Sequence, residues 1–139
     1  MIPQEIAKQL QRIASMDDFA THSAELTDAW SRAGGGVETI ETVLRFIEQH
    51  PTIDFGMPGP LVHFVEKFCG KGFEEKLMES VERKPMLLTV WMLNRVLNGP
   101  SAGPAKRRSH EVMERVRDNQ AADQNTIRLA NCFLQRLAQ

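Results

Sequence analysis

Lys84-Pro-Met-Leu-Leu-Thr-Val-Trp-Met-Leu-Asn-Arg-Val-Leu-Asn-Gly99 is the stretch whose reading decides the fold of this 139-residue chain. Pro85 suits a first helical position, where its missing amide proton costs nothing and its φ is preset. Gly99 suits a helix stop, and Pro100 prevents continuation. Between them Met86, Leu87, Val90, Trp91, Met92, Leu93, Val96 and Leu97 point in nearly every direction. A helix apolar all round is buried on several sides. One narrow stripe breaks the pattern: Leu87, Trp91, Asn94 and Asn98 follow one another at spacings of four, three and four.

The rest of the chain supplies helices around it. Pro3 opens a first, with Ile6, Leu10 and Ile13 on one face. Met16-Asp17-Asp18 offers capping carboxylates to a second, which carries Phe19, Leu26 and Trp30 and stops at Gly34-Gly35-Gly36. Val37 to His50 is a third, with Ile40, Val43, Leu44 and Ile47 inward, and Pro51 ends it. Ile53, Phe55 and Met57 lie in the connection 51–60 and predict a loop packed onto the protein. Leu61 to Phe68 and Phe73 to Arg83 follow, the latter with Glu74, Glu75, Glu79 and Glu82 towards solvent. After residues 99–105, read as a mobile linker, helices are expected from Lys106 to Asn119 and from Ala122 to Ala138. Alternating β-branched or aromatic runs are missing and tyrosine is absent, so no strand is expected. The expected class is all-α, with about eight helices in a single domain.

Val37, Phe73 and Lys106 begin successive helix pairs at intervals of 36 and 33 residues. Each pair has an amphipathic first helix and a more apolar second one. Intervals of this size are the signature of stacked helical hairpins. Residues 1–36 then form an atypical N-terminal cap hairpin, and an irregular bundle is the alternative. In a stack, the middle hairpin is covered on both sides, which accounts for a second helix apolar all round.

Composition restricts the function classes. Forty-two per cent hydrophobic and 25% charged residues describe a globular chain, and no apolar run approaches the ~20 residues of a membrane span. The N-terminus lacks the basic and apolar regions of a secretory signal. Cys69 and Cys132 stand in apolar runs and read as reduced, half-buried thiols of a cytoplasmic protein, which apolar surroundings leave inert. Residues 1–82 carry 14 acidic and 7 basic side chains, and residues 83–139 carry 4 and 10. Such asymmetry either steers a charged partner or decorates solvated helix faces unevenly.

Signs of chemistry are weak. Asp54-Phe55-Gly56 has the letters of a kinase motif without the Gly-rich loop, strand lysine or catalytic loop that give it meaning. The three glycines at 34–36 lack the lysine and hydroxyl of a phosphate loop. His63 and Glu66 share a helix face, yet a metal site needs several such pairs; the plainer reading is a surface hydrogen bond. No enzyme, cofactor or metal is expected. Lys106-Arg107-Arg108, with Arg115, Arg117, Arg128 and Arg136, hints at phosphates. A pI near 6.4 argues against a dedicated nucleic-acid binder.

The runs from Pro58 to Phe68, from Gly72 to Pro85 and from Thr89 to Gly99 resemble small bacterial HEAT-like helical-repeat proteins. Those proteins accompany contact-dependent and other polymorphic toxins as immunity proteins. The resemblance covers residues 37–99. It implies a monomeric cytoplasmic protein that binds a cognate toxin, such as a basic nuclease, and occludes its active site; it implies no catalytic residue. A regulatory or scaffold repeat domain is the alternative. The second helices of stacked hairpins line one face, and that face commonly receives ligands. Its polar positions here include His63, Glu66, Trp91, Asn94, Asn98, Asn125 and Arg128. Asp54, His63, Glu66, Trp91, Asn94 and Asn98 are the candidate partner-binding residues. Trp91 suits an interface anchor and equally a core residue; Asn94 and Asn98 suit an interface or helix-to-helix hydrogen bonds.

Overall fold

The computed structural model describes residues 1–99 and 103–137, and these are helical without a strand. Eight α-helices follow in order: α1 (Pro3–Ile13), α2 (Phe19–Arg32), α3 (Ile40–Gln49), α4 (Pro60–Glu66), α5 (Phe73–Arg83), α6 (Leu87–Asn98), α7 (Pro104–Asp118) and α8 (Gln124–Leu137). The all-α class expected from periodicity holds. The chain divides into two compact units, Met1–Phe73 and Glu74–Gln139.

In the first unit α1 packs against α2 and α3, α2 against α4, and α3 against α4. Ile6 and Leu10 of α1 are fully buried, as are Val43, Leu44 and Ile47 of α3. Asp18 caps α2 from a left-handed backbone (φ 57°), and its carboxylate accepts the Thr21 N–H at 3.4 Å and the Thr21 hydroxyl at 2.6 Å. The inner face of α2 differs from expectation. Ser23 and Thr27 are buried and Leu26 is only half-buried. The two hydroxyls can go inside because each donates to a carbonyl one turn back, Ala20 at 2.9 Å and Ala24 at 3.1 Å. Trp30 is 1% exposed, and its indole N–H donates to Gln9 Oε1 at 2.6 Å.

The connection between α3 and α4 packs down through one residue rather than three. Phe55 is buried edge-on to Phe19 (5.3 Å between centroids), and Phe19 stacks on Phe46 at 5.9 Å. Ile53 is half-buried and Met57 is 63% exposed. Val37 is also exposed, in a single 3-10 turn (Val37–Thr39) that precedes α3.

In the second unit α6 packs against α7 and α8, and α7 against α8. Three side-chain contacts lay α7 alongside α5: Arg108 on Glu75, Ser109 on Met78 and Arg115 on Glu82. Numbers rise together along both helices, so α5 and α7 run parallel. Phe73, Leu77, Met78 and Val81 are buried as expected, but Glu74 is buried with them at 8% exposure. It stands three, four and seven residues before Leu77, Met78 and Val81, which puts it on the core stripe and not among the solvent-facing glutamates.

Pro85 does not open α6. Met86 is the N-cap, with extended backbone (φ −138°, ψ 158°), and its N–H donates to the Thr89 hydroxyl at 3.3 Å. Helical residues begin at Leu87, two beyond the proline. Gly99 ends the helix where a Cβ would come within 3.0 Å of the Arg95 carbonyl oxygen. The expected linker 99–105 is shorter than read, because Pro104 already opens α7 behind the N-cap Gly103; its residues 100–102 lie outside the described residues.

Candidate functional site

The centre of the candidate site is the exposed edge of α6. Leu88, Val90, Met92, Leu93, Val96 and Leu97 are all 7% exposed or less. The opposite stripe is open: Leu87 is 45% exposed, Trp91 and Asn94 are half-buried and Asn98 is exposed. Asn98 Nδ2 donates to the Asn94 carbonyl at 3.0 Å and to Asn94 Oδ1 at 3.1 Å. The two amides therefore hold one another in a fixed pose along the helix. Arg95, absent from the expected set, places its guanidinium 5.0 Å from the Trp91 ring centre. Such a cation over an indole face is attracted by about 0.5–1 kcal/mol at an exposed site.

Asp54, His63 and Glu66, the other three expected residues, belong to the first unit. Asp54 is exposed and turns inward on its own loop, its Oδ1 accepting the Gly56 N–H at 2.9 Å. His63 is exposed on α4 and Glu66 is half-buried at its last turn.

Much of the charge asymmetry is used internally. Arg115 Nη2 meets Glu82 Oε1 at 2.9 Å, and Arg108 meets Glu75. Arg117 forks onto its neighbour Asp118 at 2.9 and 3.1 Å. That bond holds the Asp118 carboxyl below the usual carboxylate range. Part of the acidic set and part of the basic run thus neutralise each other. Between α5 and α7 a groove of about 370 Å³ lies over Val81, Val112 and Val116, with the Glu82–Arg115 pair in its wall.

Both cysteines correct the sequence reading: both are exposed. Cys69 falls in the turn beyond the end of α4, and Cys132 points away from Ala130, Phe133 and Leu134, which α8 turns inward. Apolar neighbours in sequence did not mean apolar neighbours in space. Among the described residues no three His, Cys, Asp or Glu side chains gather as metal ligands, and no buried side-chain polar atom lacks a partner. No described helix is long and apolar enough to cross a membrane.

No protein-family model, curated protein or solved structure matches the chain.

Proposed function

We propose that this chain is a bacterial immunity factor that binds a cognate toxin in the cytoplasm and covers its active site. The observation that supports the reading is the open stripe of α6. A helix packed on every other side presents Leu87, Trp91, Asn94 and Asn98 outward. A half-buried tryptophan flanked by fixed amides has the make-up of an interface anchor, since aromatic residues dominate interface energies and amides set register. The acidic surplus of residues 1–73, ten carboxylates against six cations, would speed encounter with a basic toxin such as a nuclease. The mechanism is occlusion, with no chemistry performed on the toxin, and the free protein is a monomer.

The test is co-expression with the product of the neighbouring gene. Expected is a toxic product, growth restored by this chain, and restoration lost in Trp91→Ala with Asn98→Ala. A harmless neighbour, or protection that survives the double variant, would sink the reading.

A further inference from the structure

We infer that the cleft between α1 and α3 is a docking groove for an extended, acidic segment of a partner protein, held through its backbone by the carboxamides of Gln4, Gln11 and Gln49. The groove belongs to the first unit, so the inference goes beyond the reading of α6 and does not rest on it. α1 and α3 pack against each other, and a groove of about 310 Å³ lies between them. Gln4, Ala7 and Gln11 line it from α1, and Thr42, Arg45 and Gln49 from α3. Thr42 is half-buried and the other five are exposed. Ala7, between the two glutamines of α1, is too small to fill the space they flank. No hydrogen bond to another described residue engages the three carboxamides.

The lining indicates the occupant. A carboxamide donates through its NH2 and accepts through its carbonyl. Every non-proline peptide unit carries the matching N–H and C=O, so a glutamine can satisfy both groups of an extended chain. Bonds of this kind give affinity without depending on side chains. Gln4 and Gln11 stand seven residues apart, as do Thr42 and Gln49. Seven residues of helix rise about 10.5 Å, the length of about three extended residues. Charge sets the sign of the segment. Arg45 is the one charged residue of the lining, which holds no carboxylate. Its Nε lies 3.9 Å from Glu41, beyond hydrogen-bond range, and no described residue accepts a hydrogen bond from the guanidinium. A carboxylate on the segment matches it. A nucleic acid fits less well, because Phe46, the aromatic residue of the lining, is 5% exposed and offers no ring for a base to stack on.

The test uses the full chain and four fluorescein-labelled probes: a peptide of alternating Thr-Glu, its Thr-Lys counterpart, the Thr-Glu peptide N-methylated along its backbone, and a deoxythymidine oligonucleotide. Anisotropy should report binding of the unmodified Thr-Glu peptide alone. Gln4→Ala with Gln49→Ala should weaken it about fivefold or more, with an unchanged melting temperature because both side chains are exposed. Ala7→Phe, which fills the groove from an exposed position, should abolish it. Arg45→Gln should weaken binding and reduce its dependence on salt. Absence of Thr-Glu binding, equal binding of the N-methylated peptide, tighter binding of the lysine peptide or oligonucleotide, or unchanged affinity in the glutamine and Ala7 variants would each overturn the inference. Protection from a toxin that is lost in the Trp91 and Asn98 variants but kept in these bears on the reading of α6 alone.

Discussion

Arg115 reaches Glu82 across the α5–α7 contact at 2.9 Å, from 33 residues further along the chain. Arg108 meets Glu75 at the same separation of 33. That number is also the interval between the expected starts of the second and third hairpins, Phe73 and Lys106. The third contact, Ser109 to Met78, spans 31 residues, and α7 starts at Pro104 and not at Lys106. The Glu82–Arg115 pair is exposed on both partners, so its energetic part is small. A double-mutant cycle of Glu82→Gln and Arg115→Gln should give a coupling of about 0.2–1 kcal/mol that shrinks with added salt. A coupling indifferent to salt would contradict a surface pair.

Leu93 is fully buried and Asn98, five residues on, is exposed. Leu93→Ala should cost about 2–5 kcal/mol in urea unfolding, with the slope unchanged. Asn98→Ala should stay within about 0.5 kcal/mol of the parent. Equal losses for the two would mean that the stripe is structural.

Gly59 admits no side chain. Its φ is +89°, and a Cβ there would lie 1.6 Å from the Phe55 carbonyl oxygen. Because the obstacle is backbone, no flexible side chain can yield. Gly59→Ala should destabilise by more than about 1 kcal/mol and release Phe55 from its place beside Phe19. Denaturant titration measures the first effect and near-ultraviolet dichroism the second.

Asp18 links stability to pH. Its bonds to Thr21 hold the carboxyl below its ordinary value in the folded chain. A lowered folded value contributes stability above the unfolded value, and that contribution fades as pH falls through the folded one. Asp18→Asn keeps an acceptor and tolerates the left-handed backbone. Its melting temperature should therefore fall less than the parent's on acidification below about pH 4. Asp18→Ala, with no acceptor, should melt lower than the parent at neutral pH.

The class and the helix order were legible because burial follows the 3.6-residue period so closely. Ile6 and Leu10, Val43 and Ile47, and Leu77 and Val81 all went inside where spacing put them. The stripe on α6 was legible for the same reason, as the one direction left without a large aliphatic side chain beyond Leu87. What failed depended on hydrogen bonds or on neighbours in space. Ser23 and Thr27 are buried because carbonyls one turn back satisfy them, which a hydrophobicity pattern counts as polar. Helix α6 starts at Leu87 and not at Pro85, behind a cap in which the Thr89 hydroxyl accepts the Met86 N–H. The cysteines were misplaced because an apolar run says nothing about which side of a helix each member takes. Arg95 has no place in the expected set, because the sequence does not show that its guanidinium lies over the Trp91 ring.

We propose that the open side of α6 binds a protein. Isothermal titration of this chain with the purified product of the neighbouring gene, inactivated at its active site, tests it most directly. Expected is a one-to-one complex whose affinity drops at least about tenfold in Trp91→Ala, while Asn98→Ala weakens it with the melting temperature unchanged. A complex that both variants form as tightly as the parent, or no complex at all, would contradict it.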